Sequence, residues 1–199
     1  MRYADNAGKN TMIRVLGIVS SPRKGGNTET LTKIALEEAS KEGADTNILH
    51  LSDYTIQACD SCLSCLSTKR CRIEDDLEKV YQKMIEANGI ILASPVYHAS
   101  ITPQLKALMD RAGFIANAKG KAFKGKIGGA ITVASRAGHL TAFSQILLYL
   151  WCCGFITPGG SYYTVATADE PDDVLKDNVG VKLAKELGRN IAQLSRKLS

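Results

Sequence analysis

Ile13-Arg14-Val15-Leu16-Gly17-Ile18-Val19 is a near-continuous apolar run, and Ser20-Ser21-Pro22-Arg23-Lys24-Gly25-Gly26-Asn27-Thr28 follows it directly. The first stretch fits a strand buried on both faces, as in a parallel sheet. The second is built of loop formers and opens a helical pattern, with Leu31, Ile34, Ala35 and Ala39 on one face and Gly43 just past its end. Strand, loop and helix in that order begin a βαβ unit, and the rest of the chain repeats the rhythm. Strands are predicted at 45–51, 89–93, 126–134 and within 155–166. Helices are predicted at 75–87, with Leu77, Val80, Tyr81 and Met84 as the apolar stripe, from about Pro103, and at 140–153. A last helix carries Leu183, Leu187, Ile191, Leu194 and Leu198 on one face. Such alternation predicts an α/β fold, a doubly wound five-stranded parallel sheet with right-handed crossovers. Ligands of these sheets sit outside the carboxyl ends of the strands, so the loops after strands one, three and four carry the functional reading.

Composition narrows the class. The 199 residues are 45% hydrophobic and 23% charged, which suits one globular domain over 13–199 behind a polar arm at 1–12. A net charge of +5 without a long basic run does not imply nucleic acid. No apolar stretch reaches the roughly 18 residues of a membrane span, and the start lacks an apolar signal core. The expectation is a cytoplasmic protein with no membrane partner. Six cysteines are the unusual feature, four of them between Cys59 and Cys71 in a segment, 52–74, inserted after strand two. In a chain without a secretion signal such a cluster reads as metal or redox chemistry.

In the first loop, Ser20, Ser21, Gly26 and Thr28 let backbone N–H groups converge on an anion at a helix N-terminus, with Arg23 and Lys24 close by. Neither a Walker loop nor G-x-G-x-x-G is present, so a phosphate monoester fits better than a pyrophosphate. The bland alternative is a plain turn with Asn27 as N-cap. The pattern S-x-R-x-x-G-N-T nevertheless resembles the FMN-phosphate loop of the flavodoxin-like NADPH-dependent FMN reductases. Ser94-Pro95-Val96-Tyr97 is similar to the isoalloxazine loop of that superfamily, and Leu105-Lys106 to Asp110-Arg111 matches its usual continuation. The resemblance implies FMN, held by Ser20, Ser21, Arg23, Gly26, Asn27 and Thr28 at the phosphate and by Ser94, Pro95, Val96, Tyr97 and His98 at the ring. Proline stiffens that second loop, and Tyr97 or His98 can contact a flat ring. In the third loop, Ser135, Arg136, Gly138 and His139 are further candidates. Gly138 would let a ligand approach closely and Arg136 would offset charge on reduced flavin.

Cys59, Cys62, Cys65 and Cys71 form C-x2-C-x2-C-x5-C. Steps of three place thiolates at corners of a small inorganic cube, which suits a [4Fe–4S] cluster. Bacterial ferredoxins share the start of the motif, but there the last cysteine precedes proline, whereas Cys71 precedes Arg72. Structural zinc favours two separated pairs and fits less well, and free or reversibly oxidised thiols are the remaining reading. A flavodoxin-like domain bearing this motif resembles the iron–sulfur flavoprotein family over about 13–160, including Ile73-Glu74-Asp75-Asp76. That likeness implies FMN, a [4Fe–4S] cluster, a homodimer or higher assembly, and electron transport linked to ferredoxin. Two rivals stand beside it: an NAD(P)H-dependent flavin, quinone or azo reductase whose cysteines are structural or bind zinc, and a flavin-binding thiol redox sensor. Cys152 and Cys153 read as buried small apolar groups, and His50 as structural. Trp151, Phe114 and Ile115 read as apolar surface for self-association.

Overall fold

In chain order the computed structural model has β1 (Arg14–Val19), α1 (Asn27–Lys41), β2 (Asp45–His50), α2 (Cys65–Thr68), α3 (Leu77–Glu86), β3 (Gly89–Pro95), α4 (Pro103–Ala118), β4 (Ile127–Ala134), α5 (His139–Cys152), β5 (Val165–Thr167) and α6 (Asn178–Lys197). It describes residues 12–199, and of the arm expected at 1–12 only exposed Met12 falls within them. All five strands are parallel, in the order β2-β1-β3-β4-β5. The expected flavodoxin-like sheet is therefore present. Among the described residues, no helix is long and apolar enough to cross a membrane.

Strand side chains alternate between two cores. Leu16, Ile18, Ile90, Leu92 and Ala130 pack under α3, α4 and α5 with Tyr81, Leu105, Leu108 and Ile146. Val15, Val19, Ile91, Ala93, Ile131 and Val133 face α1 and α6 with Leu31, Ala35, Leu187 and Ile191. Both faces of the central strands are covered, which is why their sequences read as unbroken apolar runs.

Four details differ from the sequence reading. The last strand is confined to Val165–Thr167. Gly128 N–H donates to the Ile156 carbonyl and Thr132 N–H to that of Thr164, so residues 156–164 span only 128–132 of β4. The surplus chain bulges out at Pro158-Gly159-Gly160, where proline offers no ladder donor. Leu198 lies past the end of α6 and is exposed. Ile115 is buried in the α4 core while its neighbour Phe114 is exposed. Of the cysteine pair only Cys153 is buried, and burial pushes its thiol up to about 11; Cys152 faces solvent.

Helices α1 and α6 cross almost in backbone contact. A Cβ on Gly188 would lie 1.8 Å from the Ala35 carbonyl oxygen. No rotamer change relieves a collision with backbone, so Gly188→Ala must push the helices apart. We expect it to destabilise the fold by about 3 kcal/mol, the upper part of the range for overpacked cores, read as a lower urea midpoint. An unchanged midpoint would mean the two helices are not held this closely.

Candidate functional site

The order of strands reverses between β1 and β3: the chain leaves β1 for β2 on one side and returns to β3 on the other. The loops after β1, β3 and β4 meet at the carboxyl edge of that crevice. Ser20 N–H donates to the Ala93 carbonyl at 2.9 Å, and Val96 N–H to that of Val133 at 2.8 Å, so the three strand ends are stitched together.

In the first loop Ser20 and Ser21 are buried. The Ser21 hydroxyl closes a tight turn onto the backbone of Arg23. Ser20 Oγ is buried without a hydrogen-bond partner, a condition that costs about 1–3 kcal/mol unless a ligand relieves it. The N-cap of α1 is Gly26 rather than Asn27, and no side chain caps it. First-turn N–H groups thus stay free for an anion, and the absence of a Cβ at Gly26 keeps the space beside Ser21 Oγ open. Thr28 is buried one residue into the helix, and Arg23 is exposed. Two expected contributors are engaged elsewhere. Asn27 donates to the Glu170 carbonyl and accepts from Val174 N–H, clamping α1 to the segment before α6. Lys24 pairs with Asp53 at 2.5 Å. Behind the loop, buried Glu29 accepts from Gly25 N–H at 2.6 Å and stands 3.6 Å from His50 Nε2, so His50 has a partner its sequence context did not suggest. Desolvation pushes the Glu29 carboxyl up, but Lys33, Gly25 N–H and His50 outweigh it and hold it below its ordinary value.

The second loop is a two-residue hairpin turn. Tyr97 and Ser100 exchange backbone hydrogen bonds, and both central residues, His98 and Ala99, have positive φ, 48° and 60°. Turns of this type favour Asn-Gly, so two side-chain-bearing residues here carry strain of about 1–2 kcal/mol each. Tyr97 and His98 are exposed at the tip and free to face a flat ring. Ser94 and Pro95 are buried beneath, where Ser94 Oγ accepts from Thr102 N–H and donates to the Pro95 carbonyl. Ser94 therefore braces the loop and does not line it. In the third loop Ser135 and Arg136 are exposed. Gly138, at φ 89°, admits the neighbouring loop: a Cβ there would come within 2.9 Å of Val96 and Ala99. His139 Nε2 lies 3.1 Å from the Ala166 carbonyl, so its ring joins α5 to β5.

The cysteine segment lies apart, against the middle of α4. Cys59, Cys62, Cys65 and Cys71 line one cleft with Arg111, Phe114 and Ile115. Burial pushes the Cys65 thiol up, and the proximity of Cys71, Cys62 and Cys59 adds to it. Among the described residues, however, no three His, Cys, Asp or Glu side chains are gathered closely enough to hold a metal ion. The spacing predicts four converging sulfurs; the structure brings them round one cleft without closing them on a point. Ser61, Leu63 and Lys69 all have positive φ in this exposed stretch, at 56°, 57° and 61°. Lys69 is the left-handed C-cap of α2, and a soft four-thiol set suits iron–sulfur chemistry.

One element the sequence reading quoted without assigning a role is the bracket at the base of this segment. Asp75 accepts from Gln57 N–H and Asp76 from Thr55 N–H, both at 2.9 Å. Arg111, with 1% of its side chain exposed, pairs with Asp75 at 2.5 Å. The usable signal was position: Arg111 falls on the same α4 face as Leu105, Leu108, Ala112 and Ile115, where a charge requires a buried partner.

The chain matches the NADPH-dependent FMN reductase family over residues 13–170. An iron–sulfur flavoprotein of Methanocaldococcus jannaschii is 35% identical over 189 residues, covering 92% of this chain and 97% of that protein. One from Methanosarcina thermophila is 32% identical over 184 residues, covering 92% and 95%. Of solved structures, RosB with a bound 8-demethyl-8-formylriboflavin-5'-phosphate aligns with a TM-score of 0.75 at 19% identity, over 94% of this chain and 80% of that one. This last likeness is one of fold.

The bracket has a pH signature. Burial raises the Asp75 carboxyl, but Arg111 and the N–H groups of Gln57 and Leu77 outweigh it and leave its pKa below the ordinary value. A depressed carboxylate contributes stability above its unfolded pKa, near ~3.9, and loses it as pH falls through the lower folded value. Amide protection at Gln57, held by Asp75, should therefore persist down to about pH 3.9 and fade below it, as measured by hydrogen exchange. That at Thr55, held by Asp76, should do the same, because Lys79 and Thr55 N–H likewise depress the Asp76 carboxyl. Fading between about pH 6 and 5 would place the anchor on a different group.

Proposed function

Because this chain belongs to the NADPH-dependent FMN reductase family, and through its relatives to the iron–sulfur flavoproteins, we propose that it is an electron-transfer flavoprotein carrying electrons from ferredoxin to a terminal acceptor. Family membership makes it a flavin-based redox protein that uses FMN. FMN exchanges electrons singly or in pairs and a [4Fe–4S] cluster singly, so a chain holding both joins one-electron to two-electron partners. The observation that carries the reading is the four-cysteine cleft seated on α4, a helix of the flavin-binding fold itself.

In this reading Cys59, Cys62, Cys65 and Cys71 hold the cluster. The unpartnered Ser20 hydroxyl, the turn of Ser21, the uncapped N–H groups after Gly26, and Arg23 receive the phosphate. Val96, Tyr97 and His98 flank the ring. Leu63, Leu66 and Phe114 are exposed round the cysteine cleft beside Lys69, Arg70 and Arg72, a rim suited to a small redox protein of opposite charge. Exposed Leu140, Leu148, Trp151 and Tyr162 on and beside α5 support assembly into a homodimer or larger.

Two substitutions test the two halves. Arg23→Glu brings a negative charge toward a phosphate of roughly −1.5 to −2; flavin should be lost on dialysis while circular dichroism is unchanged. Retained FMN affinity would remove the first loop from the site. Cys65→Ser should keep near-stoichiometric FMN, lose the iron absorbance and lose most reduction by ferredoxin, while dithionite still reduces the flavin. If ferredoxin reduces that variant as fast as wild type, the cysteines are off the path and the flavin-reductase reading moves ahead.

A further inference from the structure

Arg111 is the most fully engaged charge among the described residues. Its Nε and Nη2 donate to Cys71 Sγ at 3.4 and 3.2 Å, and Nη1 and Nη2 donate to Asp75 at 2.5 and 3.1 Å. The remaining capacity goes to the carbonyls of Gln57 and Ile73. The other sulfurs have more exposed company: Cys59 accepts a backbone N–H from Ser61, and Cys62 contacts the Ser64 hydroxyl and the solvent-exposed Arg72. One sulfur of the four is thus singled out for a buried guanidinium, and that guanidinium belongs to α4, 40 residues further along the chain than Cys71.

A pure anchor has no need to point at sulfur. Asp75, Gln57 and Ile73 already account for the four Nη hydrogens, so the Nε–H facing Cys71 is the donor left over, and Nη2 is shared between that sulfur and its oxygen partners. Asp75 stays ionised beside Arg111, so the pair is close to neutral as a whole. What reaches Cys71 is therefore a directed N–H from Nε, with a share of Nη2, more than a net positive charge. Hydrogen bonds to ligand sulfurs favour the more negative, reduced state of an iron–sulfur centre and raise its potential.

We propose that Arg111 is a positioning residue that sets the reduction potential of the centre held by the cysteines, acting through Cys71. The proposal rests on the iron–sulfur reading above. Truncation alone would leave Asp75 buried and unpaired, so the test variant is Arg111→Met with Asp75→Asn, which removes the fork and the stranded charge together. Arg111→Lys is the second variant: it keeps a charge but lacks the planar fork. Iron content, FMN content and the potentials of both centres are measured in one anaerobic redox titration, with FMN as internal reference.

The double variant should keep iron and FMN and shift the reduction equilibrium of the iron–sulfur centre at least tenfold toward the oxidised form, about 59 mV for one electron. Its flavin potential should stay in place, and Arg111→Lys should fall between the double variant and wild type. If the double variant does not fold, a shift of at least twofold in the same direction in Arg111→Lys supports the proposal, and no shift overturns it. An unmoved potential with iron retained overturns it as well. Loss of iron with FMN retained in both variants makes Arg111 an assembly residue and also overturns it. Wild-type protein purified anaerobically without iron would remove the iron–sulfur reading itself, an outcome visible before any variant is made.

Discussion

A parallel sheet can reverse its winding only where two neighbouring strands send their chains in opposite directions, and the functional surface of this protein depends on that constraint. Between β1 and β3 the crossovers part, so no helix or connection closes over the strand ends there. Backbone groups at such an edge need partners. Some are supplied internally, by the bonds from Ser20 to Ala93 and from Val96 to Val133. Other polar groups there have no partner within the protein, above all the buried Ser20 hydroxyl beside the uncapped first turn of α1. This edge is a remainder of the winding, shaped by the residues that happen to line it.

The architecture was readable because double burial leaves a plain signature. The runs Ile13–Val19 and Gly89–Ala93 have no polar face to hide, and the stripe of Leu77, Val80, Tyr81 and Met84 has no other use than a helix on a sheet. β5 was placed only loosely, because Pro158-Gly159-Gly160 lies inside the window and ladder bonding resumes late, at Thr164. Periodicity records what is buried; it does not record where a ladder is interrupted.

The site was readable as loops and less so as side chains. Ser20, Ser21, Gly26, Thr28, Tyr97 and His98 stand where an edge-binding site would use them. Asn27, Ser94, Gly138 and His139 belong to the same loops but spend their chemistry on neighbouring protein groups. A motif cannot separate a residue that touches a ligand from one that holds the loop in place, since both are needed at the same positions. Likewise Glu29 with His50, and Arg111 with Asp75, are side chains whose partners lie 21 and 36 residues away in sequence. Only the packed structure says which carboxylate meets which basic side chain.

The way the cysteine segment is tied off bears on how freely its length can change. Thr55 and Asp76 bond to one another through backbone and side chain, and Gln57 is bound by Asp75, so everything between them begins and ends at nearly the same point. Lengthening a loop closed in this way costs little, about 0.6 kcal/mol for each doubling. None of the five strands takes a hydrogen-bonding neighbour from it. A stretch with those properties can change length between its tied ends while the sheet beneath keeps its register, provided that Asp75 stays to meet Arg111.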